Sequence, residues 1–73
     1  MVNNTAEIDY ADGILQLRAK LNLSQEELAK ILGVSYISVN RWENNKYAPK
    51  KLVKIKLNQL FKEHNIEVKE VNK

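Results

Sequence analysis

The sequence predicts an all-α fold, a small bundle of four to five helices. Three observations lead there. Apolar residues recur at helical spacing in four separate stretches of the 73-residue chain. Two helix-start signals, at Ser24 and Ser35, stand on either side of the turn residue Gly33. Pro49 then supplies a further start, because a proline at the first position of a helix loses no hydrogen bond. A chain of this length forms one small domain. With no cysteine to form a disulfide or thiolate metal site, its stability has to come from packing.

Residues 1–8 are polar, show no periodicity, and are expected to form a disordered N-terminal arm. The ordered domain is expected over residues 9–64. Asp9 can cap a first helix whose stripe is Tyr10, Ile14, Leu17 and Leu21. Gly13 inside that helix would cost about 1 kcal/mol relative to Ala, so a start at Asp12 stays open. Asn22 closes the helix.

The most informative stretch is 24–43. Ser24-x-x-Glu27 has the form of a capping box, with Leu23 and Leu28 as its hydrophobic staple. Glu26 and Glu27 suit the positive end of the helix dipole. Leu28, Ile31 and Leu32 keep the helical period until Gly33, which adopts a left-handed turn without penalty. Ser35 caps the next helix, expected over 35–43, and Val34 and Val39 form its staple. At 100° per residue, Val39 and Trp42 share one face with the flank of Glu43. Trp42 therefore reads as core. Tyr36, Ile37, Asn40 and Arg41 point outward. Two helices joined by a short glycine turn suggest a helix-turn-helix, whose second helix can enter the DNA major groove.

The last helix is expected over 49–63. Val53, Leu57, Leu60, Phe61 and His64 form one face, and Lys51, Lys54, Asn58 and Lys62 the other. Leu52 and Ile55 make a minor apolar stripe, read either as surface methyls or as a homodimer contact. Residues 65–73 read as a flexible tail or linker. A short strand at 66–68, pairing across a dimer, is the alternative.

The net charge is only +3, but its distribution is uneven. Residues 1–13 hold Glu7, Asp9 and Asp12 and no base, whereas 41–62 hold seven bases against Glu43 alone. A lysine-rich face by itself is compatible with plain solvation. Next to an outward-facing helix it is the electrostatic footprint expected for DNA. The lone His64 makes no metal cluster, and no cofactor is expected. No catalytic constellation is visible, so no enzymatic activity is expected. No apolar run approaches the roughly 18 residues that span a membrane. The start of the chain lacks a basic-then-apolar signal, and a cytoplasmic location is expected.

Leu23-Ser24-Gln25-Glu26-Glu27-Leu28-Ala29, Leu32-Gly33-Val34-Ser35, Val39, Trp42-Glu43-Asn44, Lys46 and Pro49 stand in a register that resembles the lambda/434 repressor-like, or Xre, helix-turn-helix family. The likeness covers about two-thirds of the chain. It implies a lambda repressor-like DNA-binding domain and sequence-specific binding of double-stranded DNA. It further implies transcriptional regulation, by family habit repression, with dimers on palindromic sites.

The resemblance also implies residue roles. Gln25, Lys46 and Asn44 are phosphate-contact candidates by that likeness; Lys50, from its place at the start of the last helix, and the hydroxyls of Ser35 and Ser38 are added from position and chemistry alone, Ser35 being also the cap. Asn45 stands where the family has a left-handed glycine, and Asn is the next-best residue there. An Arg at the position of Arg18 pairs in the family with the Glu at the position of Glu43. Glu43 lies on the inward flank of its helix and needs a partner if buried, which argues independently for that pair. The base-contact candidates are Tyr36, Ile37, Asn40 and Arg41: Arg can bond guanine, Asn adenine, and Ile a thymine methyl. Three other expectations compete with a free-standing repressor. They are the DNA-targeting domain of a larger DNA-modifying protein, an antitoxin that binds its own operator, and a protein-interaction module that has lost DNA binding.

Overall fold

The structure is a computed structural model and describes residues 6–72. It contains strand β1 (Ala6–Ile8), helices α1 (Tyr10–Leu21), α2 (Gln25–Leu32), α3 (Tyr36–Glu43) and α4 (Lys51–Glu63), and strand β2 (Glu70–Asn72). The core joins all four helices. Ile14 and Leu17 of α1 meet Leu28, Ala29 and Leu32 of α2, Val39 and Trp42 of α3, and Leu57 and Phe61 of α4. Leu23, Val34, Val53, Leu60 and Ile66 pack around that centre. Among the described residues, no buried side-chain nitrogen or oxygen lacks a hydrogen-bond partner.

Local chemistry sets the helix starts. Asp9 Oδ1 accepts from the Asp12 amide at 3.1 Å, so α1 starts ahead of Asp12. Ser24 Oγ accepts from the Glu27 amide at 3.0 Å, and Glu27 Oε1 accepts from the Ser24 amide at 2.8 Å. The capping box is therefore reciprocal. Ser35 Oγ accepts from the Ser38 amide at 3.3 Å and opens α3.

The helix ends share one device. Asn22, Gly33, Asn45 and Asn65 have φ of 56°, 74°, 59° and 54°. In each case the next residue's amide bonds back to a carbonyl inside the last turn: Leu23 to Arg18, Val34 to Ala29, Lys46 to Arg41 and Ile66 to Phe61. These bonds satisfy carbonyls that the helix leaves unpaired. After three of the ends, the residue that follows (Leu23, Val34 or Ile66) packs against the core. After α3 it is Lys46, which is exposed.

Several expectations need correction. Within the expected disordered arm 1–8, Ala6–Ile8 is a strand; residues 1–5 lie outside the described residues. Within the expected flexible tail 65–73, Glu70–Asn72 is its antiparallel partner, with Ala6 opposite Asn72, Glu7 opposite Val71 and Ile8 opposite Glu70. The strand is not at 66–68. Ile66 and Val68 instead face the core, and the pairing lies within one chain. The segment is held along α1 by the Asp9 amide on the Lys69 carbonyl (2.8 Å) and by Gln16 Nε2 on the Glu67 carbonyl (3.0 Å). Lys20 Nζ also donates to the His64 carbonyl. The described residues contain four helices, and this ribbon follows α4 where a fifth helix was open. Pro49 does not start α4. Lys50 is its N-cap, and Pro49 is buried just before it.

Gly13 has a packing role that its helix cost conceals. A Cβ built there would lie 2.7 Å from Phe61 Cζ. Phe61 is 3% exposed, so its ring has little room to withdraw. Gly13→Ala is expected to lower stability by about 1–2 kcal/mol despite the gain in helix propensity. Urea denaturation of Gly13→Ala alone and together with Phe61→Leu tests this. Gly13→Ala should cost less when measured against Phe61→Leu alone, where the ring that meets the new methyl is gone. Stabilisation by Gly13→Ala alone would show that the two helices do not meet this closely.

Candidate nucleic-acid interface

α3 is buried on one side and open on the other. Val39 is 0% and Trp42 7% exposed, whereas Tyr36 and Ile37 are about half exposed, at 49% and 48%. Asn40 and Arg41 are also exposed. The helix is held in this rotation by Glu43, whose side chain is only 7% exposed. Arg18 Nε donates to Glu43 Oε2 at 2.7 Å and Arg18 Nη2 to Glu43 Oε1 at 3.1 Å. The pair is thus bidentate, the strong form of carboxylate recognition. Arg18 Nη1 also donates to the Leu23 carbonyl at 3.1 Å, tying the pair to the α1–α2 turn. Hydrogen bonding to Glu43 raises the Arg18 pKa above its already high ordinary value, so its charge is present throughout the neutral range.

A chain of amides continues from that carboxylate. Gln25 Nε2 donates to Glu43 Oε1 at 2.8 Å. Gln25 Oε1 accepts from Asn40 Nδ2 at 3.4 Å. Asn44 Nδ2 donates to Asn40 Oδ1 at 3.2 Å and to the Asn40 carbonyl at 2.9 Å. Gln25, Asn40 and Asn44 are therefore brought together on one edge of α3. The two serines of its first turn also meet, Ser35 Oγ lying 3.3 Å from Ser38 Oγ.

The cations are distributed unevenly. Lys46 and Lys50 are exposed on the loop after α3. Arg41 lies over the Tyr47 ring, 5.4 Å from its centroid, a cation–π distance. Lys56 Nζ donates to the Leu32 carbonyl at 3.3 Å, where a cation complements the C-terminal end of α2. Lys54 lies 5.6 Å from the Tyr10 ring centroid. The basic stretch is thus not one free surface: Lys54 and Lys56 serve the fold, and Lys46 and Lys50 border the open face of α3. Sequence reasoning missed Tyr47, which is 64% exposed and holds Arg41. An aromatic residue between a lysine and a turn was the available signal. The leading residue of α2, Gln25, likewise shows no sequence sign of reaching Glu43.

The family model described as helix-turn-helix matches residues 14–64. No curated protein and no solved structure matches the chain. The matched span contains α2, the Gly33 turn, α3, the Arg18–Glu43 pair and the whole amide chain.

Arg18→Ala would leave a nearly buried carboxylate with Gln25 as its remaining side-chain partner. The expected loss is about 2–3 kcal/mol, below the full cost of a lone buried charge because Gln25 still donates. In a domain of this size that lowers the Tm by roughly 10 °C or more. Replacing both charges, as Arg18→Met with Glu43→Leu, is expected to recover stability. Thermal melts of the single and double variants decide the matter, and an unchanged Tm for Arg18→Ala would remove the clamp from the account.

Proposed function

The chain belongs to the Xre/lambda repressor-like helix-turn-helix family, whose match supports DNA binding of the transcription-regulator kind, and from that premise we propose that it is a sequence-specific repressor. In this reading α3 enters the major groove of an operator, and the bound protein blocks access of the polymerase.

The observation that carries the reading is the open face of α3 with its amides already oriented. Asn40 is held between Gln25 and Asn44, so less side-chain freedom is lost when it meets an adenine edge. Arg41 meets guanine, Ile37 a thymine methyl, and Tyr36 a base or the backbone. Gln25, Ser35, Ser38, Asn44, Lys46 and Lys50 meet phosphates and set the register. Lys46 is the best supported of these, because it occupies the one helix-end position that does not contribute an apolar residue to the core.

One such module makes a small interface and binds weakly alone. A homodimer supplies the second half-site. Leu52 and Ile55, 75% and 55% exposed, support that contact. The C-terminal segment is the weaker candidate, since β2 is already paired with β1.

Selection of bound duplexes from a random pool, followed by a salt titration of the recovered sequence, tests the reading. A palindrome with half-sites about 10 base pairs apart and a steep loss of affinity with salt are expected. Arg41→Ala is expected to relax one position of the motif at a cost of about 1–3 kcal/mol. Lys46→Ala should weaken all sequences alike and make the salt slope shallower by about 1. No enrichment and no salt dependence would leave a protein-interaction module as the better reading.

A further inference from the structure

The flank of the molecule holds a cleft that the DNA reading touches only at Lys46. Its volume is about 390 Å³, within the range of small-molecule sites. It lies between the start of α1, the loop after α3 and the β1–β2 ribbon, which lines it at Ile8 and Val71. Its other walls carry Tyr10, Trp42 and Tyr47 with Lys46 and Lys54.

We propose that this cleft binds a small planar aromatic anion. The aromatic wall is held in place before any ligand arrives. The Tyr10 ring packs against Phe61 with centroids 6.1 Å apart, and its hydroxyl donates to Asn58 Oδ1 at 3.0 Å. Tyr47 is steadied by the guanidinium of Arg41 over its ring. Trp42 is almost wholly buried and lines the cleft. Lys54 lies 5.6 Å from the Tyr10 ring centroid, as Arg41 lies over Tyr47, so a flat ligand meets rings that are already ordered together with the Lys54 ammonium, which is what favours binding in a preformed site.

The charges select the sign of the ligand. Lys46 and Lys54 line the cleft with Asp9 as the one carboxylate. Asp9 already has an oxygen committed to the Asp12 amide at the start of α1. Among the described residues, neither lysine has a carboxylate within ion-pair distance. Three aromatic residues alone would also suit a quaternary ammonium ion. Two ammonium groups of like sign oppose that ligand and attract a carboxylate or sulfonate. Lys46 belongs to the proposed DNA face as well, so ligand and duplex exclude one another. That consequence rests on the proposed function, whereas the site itself does not.

Titration with 1-anilinonaphthalene-8-sulfonate tests the site directly. Trp42 is the one tryptophan of the sequence and lines the cleft, so its emission reports the event. Saturable one-to-one binding with energy transfer from Trp42 is expected. Lys54→Gln and Lys46→Gln should each raise the Kd by about tenfold, as the loss of one charge-assisted contact does. The uncharged N-phenyl-1-naphthylamine should bind more weakly by a similar factor. The double variant Leu52→Ala with Ile55→Ala, which removes the exposed apolar stripe elsewhere on the surface, should bind as the parent does. Absence of saturation, indifference to both lysine substitutions, or loss of binding in the Leu52/Ile55 variant would each overturn the proposal. The titration contains no DNA, so its failure leaves the DNA reading standing.

Discussion

The arrangement depends on one carboxylate. Glu43 sits at the C-terminal end of α3, where the helix dipole disfavours negative charge, and its side chain is nearly excluded from water. It is tolerable there only because Arg18 of α1 and Gln25 of α2 both donate to it. Three helices thereby meet at a single ion pair. Satisfying that pair sets the rotation of α3, turning Val39 and Trp42 inward and leaving Tyr36, Ile37, Asn40 and Arg41 on the open side. The structural clamp and the exposed amide edge form one hydrogen-bonded chain, running from Arg18 through Glu43 and Gln25 to Asn40 and Asn44.

The helix ends carry the second constraint. Each of the four helices is followed within two residues by one of positive φ, three of them asparagines, and the next amide bonds back into the last turn. Leu23, Val34 and Ile66 then join the core, so each end both terminates a helix and adds to the packing. The end of α3 departs from this pattern. Lys46 takes the same backbone position but faces solvent, exchanging an apolar contact for a charge beside the open face. In a domain this small, a departure from packing is informative because so little core is available to compensate for it.

Much of this is legible in the sequence where the signal is local. The capping box of Ser24 and Glu27, the left-handed Gly33, the Ser35 cap and the two faces of α3 each follow from residues within a few positions of one another. The ribbon is not legible. Its strands have three residues each, too few to show an alternating pattern, and the partners come from opposite ends of the chain. Gly13 reads as a helix weakness because its benefit, room for Phe61, is a tertiary contact. Pro49 is displaced from the first helical position because Lys50 takes the extended N-cap conformation. In the candidate interface, residue type and helical angle identify the outward side chains of α3. They do not reveal that Gln25 reaches Glu43 or that Tyr47 carries Arg41, since both contacts depend on where another element ends.

The measurement that tests the central claim most directly is a map of amide and side-chain NMR shifts as an operator duplex is added. Binding through the face that Glu43 orients should move Tyr36, Ile37, Asn40 and Arg41, the side-chain amides of Gln25 and Asn44, and the backbone of Lys46. The Arg18 Nε resonance should stay in its hydrogen-bonded position throughout. Shifts centred on Leu52 and Ile55, with α3 unmoved, would contradict the account and assign recognition to α4 instead.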